Sequence, residues 1–222
     1  MAEQAAAPPV ETAQTASAPP APAEKTYRVP AEEYMERYAH DFYEWVKGEV
    51  VKMTPVSFQH DELTAYLLVL LKAYFALRPI GVVKQSPFVM RVDETESRRE
   101  PDLQVILESN PGALTDTAMV GPADICIEVV SPESAARDRG EKFIEYEKGG
   151  VREYWIIDPI RSEALFLRLG EQKVYTTVLM GREGQYQTPL LPGLVVEVGL
   201  LWEEKLPDVI AVVRSVEQMV GK

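Results

Sequence analysis

Cysteine and histidine are nearly absent from this chain of 222 residues, and their scarcity excludes one kind of structural site. The single cysteine, Cys126, cannot form an internal disulfide and stands in an apolar run, which is typical of a buried, inert thiol. His40 and His60 are the only histidines, so a structural zinc cluster of the Cys/His kind is excluded. We therefore expect a protein of the reducing cytoplasm.

The chain also has little that would place it in a membrane. Its strongly apolar runs, such as "LLVLL" at 67–71, fall far short of the roughly 20 residues that span a bilayer. No N-terminal stretch combines a basic start with an apolar core, so a secretory signal is not expected. The sequence predicts no membrane partner.

Basic residues are outnumbered by acidic ones. Lys and Arg together number 23 against 35 Asp and Glu, which gives a net charge of −12. Residues 1–25 hold three acids and one lysine, so the rest of the chain still carries −10. This balance argues against a domain that covers itself with DNA through a broad basic face. A local groove remains compatible with it, as does an enzyme that offsets its carboxylates with bound divalent cations.

Composition divides the chain into two parts. Residues 1–25 are rich in Ala, Pro, Thr and Ser and almost free of large apolar side chains. Such a segment cannot bury enough surface to offset its ordering entropy, so it is predicted to be a disordered tail. Residues 26–222 are predicted to form a single domain, because a chain of this length with 46% hydrophobic residues supports a sizeable core.

Hydrophobic patterning places helices and strands in alternation after residue 40. A hairpin is predicted with Lys47-Gly48 at its turn, and a long helix with Ser57 as its N-cap. A second helix is predicted from about Ser134 to Lys148 and a last one from about Asp208 to Val220. Strands are predicted at 81–92, 102–107, 124–130 and 153–158, with further short strands after Pro159. This order predicts an α/β protein with a mixed β-sheet flanked by α-helices.

Polar residues stand at three places where a core pattern alone would not put them. Asp102 opens a strand after Pro101 and shares a strand face with Gln104. Glu128 lies within the apolar run "DICIEVV" at 124–130. The following helix carries Asp138, Lys142 and Tyr146 at four-residue spacing, hence on one face.

Two carboxylates on neighbouring strands suit a hard divalent cation. Mg²⁺ and Mn²⁺ take oxygen ligands and keep several waters, which substrate phosphate oxygens can replace. A nearby lysine ammonium can orient an attacking water or stabilise developing negative charge. A bound cation would also explain why Glu128 is tolerated in an apolar run, because a coordinated carboxylate is not an unpaired one.

Each of these residues also has an ordinary structural explanation. Asp102 after a proline is typical of a strand start, and Glu128 could lie at a sheet edge or pair with an arginine. Lys142 four residues after Asp138 is a common exposed helix pair. His60 in the first turn of a helix is commonly a capping or packing histidine. Spacing alone leaves both interpretations open.

Taken together, "EPDLQVIL", "DICIEVVSPES" and "DRGEKFIEYEKGGVREYWIIDP" resemble the Uma family of bacterial putative endonucleases. That family is assigned to the restriction endonuclease-like superfamily, which has the PD-(D/E)xK signature. The resemblance covers roughly residues 40–200. It implies the restriction endonuclease-like fold, a central mixed β-sheet flanked by α-helices. It also implies Mg²⁺ or Mn²⁺ held by Asp102, Glu128 and the backbone carbonyl of Val129.

The sequence departs from the superfamily signature at one position. Val130 stands where the signature lysine would follow the strand acid. The resemblance implies that this lysine is displaced onto the following helix as Lys142, which completes a catalytic set of Asp102, Glu128 and Lys142. The helix face with Lys142 must then pack toward the metal side of the sheet. Further site-lining residues, some matching family positions, are expected to be Glu49, His60, Gln104, Asp138 and Tyr146.

The function that follows is a divalent-metal-dependent endonuclease that hydrolyses phosphodiester bonds, with DNA the favoured substrate. A catalytically silent module of the same fold that binds nucleic acid or protein is the alternative, and hydrolysis of a different phosphoester is a third. Phosphate contacts could come from four arginines that could equally be solvated surface charges: Arg98, Arg99, Arg137 and Arg139. Two cuts need two sites, so a homodimer is compatible with the sequence, although no residue demonstrates an interface.

Overall fold

The computed structural model describes residues 27–39, 41–53 and 55–221. The predicted tail at 1–25 and His40 lie outside the described residues. Within these ranges, no helix is long and apolar enough to cross a membrane.

Five α-helices and fifteen β-strands alternate along the described residues, with two 3₁₀-helices at Asp93–Thr95 and Val198–Trp202. In chain order they are β1 (Tyr27–Arg28), α1 (Ala31–Arg37), β2 (Tyr43–Val46), β3 (Glu49–Lys52), α2 (Phe58–Leu77), β4 (Gly81–Gln85), β5 (Val89–Val92), β6 (Ser97–Arg99), β7 (Leu103–Leu107), β8 (Ala113–Leu114), β9 (Ala118–Val120), β10 (Ile125–Val129), α3 (Ala135–Arg139), α4 (Glu141–Gly149), β11 (Glu153–Asp158), β12 (Glu163–Leu169), β13 (Tyr175–Gly181), β14 (Gln185–Gln187), β15 (Val195–Glu197) and α5 (Val209–Val220).

A six-stranded mixed sheet forms the centre of the fold, in the order β13-β12-β11-β10-β7-β4. Strands β10 and β11 are parallel and connected through α3 and α4, whereas the other neighbours are antiparallel. Helices α2 and α5 contact each other and cover one face, where Leu67, Leu71, Ile127, Trp155 and Val216 are buried in one apolar cluster. The predicted mixed sheet with flanking helices is confirmed.

A second sheet was not predicted. It has seven strands in the order β1-β3-β2-β6-β5-β9-β8, and Met90 from it packs with Cys126, Tyr146 and Tyr154 in a second apolar cluster. The single strand predicted at 81–92 is in fact two, because β4 joins the central sheet and β5 joins the second one. The chain changes sheets through residues 86–88, where a proline cannot donate a ladder hydrogen bond.

The helix predicted over 134–148 is also two helices, which meet at Gly140. The backbone angles there, φ −119° and ψ −85°, interrupt the helix. A Cβ atom at this position would lie 2.8 Å from the carbonyl oxygen of Ala136, so a larger residue would require the corner to shift. Helix α4 then ends at Gly149, and Gly150 takes the left-handed conformation (φ 90°) that commonly terminates a helix.

The register of the central sheet decides which side chains meet at its edge. Strands β7 and β10 are antiparallel, with Gln104 opposite Cys126 and Leu103 opposite Ile127. The start of β7 therefore lies beside the end of β10. Asp102, directly before β7, and Glu128, near the end of β10, are brought to the same edge of the sheet by this pairing.

Candidate active site

A cavity of about 800 Å³ opens at this edge of the sheet. It is lined by segments from the β2–β3 hairpin, the first turns of α2, the end of β4, the start of β7, the end of β10, and α3 and α4. Asp102, Glu128, Val129, His60 and Lys142 all line it. A second cavity, of about 770 Å³, lies between α2 and the segment leading into α5 and contains none of the predicted site residues.

Asp102 is fixed by two neighbouring elements. Its Oδ2 accepts a hydrogen bond from the backbone N–H of Val129 at 2.7 Å and lies 3.1 Å from Nε2 of His60. The backbone N–H of His60 donates to the Ser57 hydroxyl, which caps α2 as predicted. Burial opposes the charged form of His60, but the hydrogen bond to Asp102 and nearby carboxylates prevail and raise its pKa. His60 therefore orients Asp102, which a purely packing histidine would not do.

Glu128 lies in β10, which pairs with β7 on one side and β11 on the other, so it is not on an edge strand. Its Oε1 accepts a hydrogen bond from the Tyr146 hydroxyl at 2.8 Å and lies 2.9 Å from Nζ of Lys142. Only 3% of the residue is exposed. Burial raises the pKa of Glu128; Lys142 opposes the rise, and the charges of Asp102 and Asp138 add to it. A carboxylate in this position gains from a further cation.

Lys142 lies among three carboxylates. Its Nζ is 2.9 Å from Glu128, 3.4 Å from Glu44 and 3.5 Å from Asp138. The helix faces with Asp138, Lys142 and Tyr146 thus pack toward the sheet acid despite the break at Gly140. The pair of Lys142 and Asp138 is buried, so the explanation as an exposed helix pair does not hold. Burial lowers the pKa of Lys142, but the carboxylates outweigh it and keep the pKa above its usual range.

Glu44 is a site residue that sequence reasoning missed. It is almost fully buried in β2, where its Oε2 accepts from Arg99 at 2.8 Å and its Oε1 faces Lys142. Burial disfavours its charge, but Lys142 and Arg99 prevail and lower the pKa of Glu44 to about 2. The signal was available, because an acid between Tyr43 and Trp45 in a strand is the same pattern that pointed to Glu128.

Glu100 is the second missed acid, two residues before Asp102. Its Oε1 accepts a hydrogen bond from the Tyr34 hydroxyl at 3.1 Å, whereas its Oε2 is buried without a hydrogen-bond partner among the described residues. Burial and the neighbouring charge of Glu44 raise the pKa of Glu100 to about 8. The crowding of acids around one lysine leaves this carboxylate incompletely paired.

Four predicted site-lining residues do not line the cavity. Asp138 and Tyr146 nevertheless contact residues that do, since Asp138 lies 3.5 Å from Lys142 and the Tyr146 hydroxyl donates to Glu128.

Glu49 and Gln104 do not contact the site. Glu49 lies at the turn end of β3 and pairs with Arg28 at 3.1 Å, with 44% of its side chain exposed. It stands opposite Val46, and hence about 7 Å farther along the ladder than Glu44. Gln104 is buried in the sheet, where its amide donates to the carbonyl of Phe88 at 2.7 Å.

Ion pairs fix the side chains of Arg98, Arg99 and Arg139. Arg99 is 1% exposed and pairs with Glu44 and Glu145, so it is neither a phosphate ligand nor a solvated charge. Arg98 pairs with Asp93 at 2.7 Å and is buried as well. Arg139 bridges two acids, Asp158 and Glu163, at 2.9 Å each. Arg137 alone of the four lines the cavity.

The residues at the cavity base fit a hard divalent cation. No cluster of three or more His, Cys, Asp or Glu side chains suited to a metal occurs among the described residues. The candidate ligands are instead two carboxylates and the Val129 carbonyl, and Mg²⁺ is commonly bound through one or two carboxylates with water completing its shell. Of the residues that the structure describes, six carboxylates but only three Lys and Arg side chains line the cavity. This excess of negative charge favours cation binding.

Comparison with known proteins identifies the family. The model of the Uma2 family, described as "putative restriction endonuclease", matches residues 31–199. This chain belongs to the Uma2 family. An uncharacterised protein of Synechocystis sp. is 28% identical over 162 residues, which cover 71% of this chain and 90% of that protein.

The Uma2 fold is also seen in a solved structure. A putative nuclease of the DUF820 family from Anabaena variabilis superposes with a TM-score of 0.66 at 15% identity, over 77% of this chain and 96% of that one. At this level of identity the likeness concerns the fold. The Uma2 match leaves α5 outside its bounds, as the resemblance in the sequence did.

Proposed function

We propose that this Uma2 protein is a Mg²⁺- or Mn²⁺-dependent endonuclease that hydrolyses phosphodiester bonds, with DNA the favoured substrate. The observation that carries the proposal is the convergence of Asp102, Glu128 and Lys142 at the base of one cavity. The family and the fold of a nuclease relative support the reaction class. Membership of the family supports divalent-metal use, and the oxygen donors at the cavity base suit such a cation.

Asp102, Glu128 and the Val129 carbonyl would hold the cation. When bound, it would neutralise phosphodiester charge and favour the formation of hydroxide from water. His60 and the Val129 N–H keep Asp102 in position, and Tyr146 does the same for Glu128. These hydrogen bonds hold both carboxylates in position before a substrate binds.

Lys142 would orient the attacking water or stabilise the charge that develops on the phosphate. Three carboxylates within 3.5 Å keep it as an ammonium. An ammonium donates hydrogen bonds but accepts none, so Lys142 would not serve as the general base. It fills the role that the superfamily signature gives to the lysine at the position of Val130.

The test is cleavage of supercoiled plasmid, single-stranded DNA and RNA by purified protein in Mn²⁺, Mg²⁺ or EDTA. We expect metal-dependent nicking that falls at least about 100-fold in Asp102→Ala and Lys142→Ala, because loss of one charge-stabilising group commonly costs about 10²–10³ in rate. Glu49→Ala is the matched control, since Glu49 lies outside the cavity, and it should keep wild-type activity.

Three outcomes separate the alternatives. Metal-dependent nicking that survives in Asp102→Ala would show that the site is assigned to the wrong residues. Absence of cleavage for every nucleic acid, with binding retained, would favour a silent nuclease-fold module. Cleavage of RNA but not DNA would keep the mechanism and change the substrate.

A further inference from the structure

The mouth of the cavity carries an exposed aromatic ring in an unusual backbone conformation. Phe42 lines the cavity, and the residue is 55% exposed. Its φ angle is +58°, in the left-handed region that bulky residues rarely adopt. Such a conformation persists only where the surroundings determine it, and it is found often at functional sites. Glycine or asparagine would suit this backbone better, so stability does not explain a phenylalanine here.

The backbone of Phe42 is fixed on both sides. Its carbonyl accepts a hydrogen bond from Met53 N–H at 2.8 Å, directly before the first pair of the β2–β3 ladder, Tyr43 with Lys52. The N–H of the preceding residue, Asp41, donates to the carbonyl of Tyr38 at 3.0 Å. The ring is therefore presented to solvent from a rigid hairpin base. A flat apolar surface held in advance binds a partner at low entropic cost.

The charges in the cavity limit the binding energy that phosphate contacts can supply. Among the described residues, six carboxylates and three Lys and Arg side chains line it, so few phosphates can be neutralised, and a nucleic acid, paired or unpaired, gains little from charge. Glu128, one of the two carboxylates proposed to bind the metal, also lies deep, since only 3% of the residue is exposed. A phosphate must therefore enter the cavity to approach it. A cavity of about 800 Å³ matches ligands of the size of about one or two nucleotides.

Stacking supplies binding energy that does not depend on charge. Every base has a flat face, and aromatic side chains bind successive unpaired bases in this way with little sequence preference. In a duplex these faces are covered by neighbouring bases. Lys52 pairs with Tyr43 across the same hairpin and also lines the cavity. Its ammonium lies 5.7 Å from the centre of the Tyr43 ring, where it can contact a backbone phosphate.

We propose, building on the nuclease function above, that the substrate of this site is an unpaired nucleic-acid strand and that Phe42 is the platform on which one of its bases stacks. The phosphate next to the stacked base then enters the cavity toward Asp102 and Glu128. Duplex DNA would be a substrate only where its strands are open.

The test measures binding to a single-stranded oligonucleotide with one 2-aminopurine and to the duplex of the same sequence, in Ca²⁺ and in EDTA. We expect the wild type to prefer the single strand and to quench 2-aminopurine on binding. Phe42→Gly should weaken single-strand binding roughly 5- to 150-fold, the range that corresponds to one stacked base, and abolish the quench. Phe42→Trp should retain both.

Two controls test whether weaker binding comes from the loss of any exposed ring or from misfolding. Phe58→Ala removes a ring that is 81% exposed but lines the other cavity, and it should bind like the wild type. Phe42→Gly removes a side chain from a left-handed position that glycine adopts readily, so its melting temperature should equal or exceed that of the wild type. Weak binding with intact stability excludes misfolding.

The outcomes distinguish this inference from the nuclease proposal. Duplex preference, or Phe42→Gly binding as tightly as Phe58→Ala, overturns the stacking inference, and plasmid nicking by the same samples would leave the nuclease proposal standing. Phe42-dependent binding of single strands without cleavage by the wild type in Mg²⁺ or Mn²⁺ supports the stacking inference and counts against the nuclease proposal.

Discussion

At the scale of single residues, the difference between Glu44 and Glu49 shows what a sequence motif can and cannot locate. Both acids belong to the same hairpin and face the same way, since partners in an antiparallel ladder share a face. Only Glu44 lies far enough from the turn to reach Lys142 and Arg99. Position along the ladder, which the motif does not encode, decides which acid is in the site.

Glu44→Gln should destabilise the protein by about 3–5 kcal/mol, the usual cost of breaking a buried ion pair by removing one partner. The substitution removes the carboxylate that pairs with both Arg99 and Lys142. Arg99 keeps its pair with Glu145 and a longer contact with Glu141. Glu49→Gln is the matched control and should change stability by less than about 1 kcal/mol, because its pair with Arg28 is solvent-exposed. Urea unfolding at pH 7 measures both.

The effect of Glu44→Gln should also depend on pH. The pKa of Glu44 is lowered from 4.5 to about 2 in the folded state. The stability that its charge contributes is therefore complete above pH 4.5 and is lost as the pH falls toward 2. The difference in the free energy of unfolding between Glu44→Gln and the wild type should narrow over this range. Equal destabilisation across this range would show that Glu44 acts through packing and not through charge.

The residues that sequence reasoning did find had local signals. Glu128 stands out as an acid within strand-forming apolar residues, and Lys142 shares a predicted helix face with Asp138 and Tyr146. The family resemblance implies that the signature lysine, replaced by Val130 in the strand, is displaced onto this helix. Glu100 could not be found in this way, because its burial comes from Tyr34 and Glu44, which are distant in sequence.

At the scale of elements, helix and strand types were predictable and their interruptions were not. The strand at 153–158 has the bounds that its pattern predicts, and Ser57 caps α2 as expected. The breaks at Gly140 and after Gln85 depend on where the chain must turn to meet other layers. Pro87 and Gly140 are local signals for a break, but neither residue indicates which sheet or layer the chain joins next.

Gly140→Ala should destabilise the protein by about 1–3 kcal/mol, the usual cost of adding a methyl group to a packed position. The new Cβ would meet the Ala136 carbonyl oxygen at 2.8 Å, so α3 must move relative to α4 and carry Asp138 away from Lys142. Gly199→Ala is the control, because a Cβ there has no atom within 4 Å. Thermal melts of both variants measure the difference; equal melting temperatures would show that the corner adjusts freely.

At the scale of the whole molecule, the acidic balance and the proposed function are compatible if binding depends on few phosphates. A net charge of −12 would repel an extended duplex laid across the surface. The proposed site instead admits a short stretch of strand into one cavity. Whether residues 26–222 form a single domain stays a prediction, as does the homodimer.

We expect a shallow salt dependence of single-strand binding. If Lys52 and Arg137, which line the cavity, each neutralise one phosphate, the slope of log K against log salt should be about −1.4, since each contact contributes roughly −0.7. Lys52→Ala should reduce its magnitude by about 0.7. Lys205→Ala, at the other cavity, should leave it unchanged. A slope steeper than about −4 would indicate a basic surface elsewhere.

The surroundings of Lys142 have a consequence for the time at which activity can begin. Its three acidic neighbours come from β2, β10 and α3, and Lys142 itself comes from α4. A chain still leaving the ribosome, or one with the hairpin undocked, has only a solvated lysine side chain at this position, which no carboxylate holds in place. If the chain is a nuclease, its activity appears only after these four elements have assembled, and nucleic acid near the site of synthesis is spared until folding is complete.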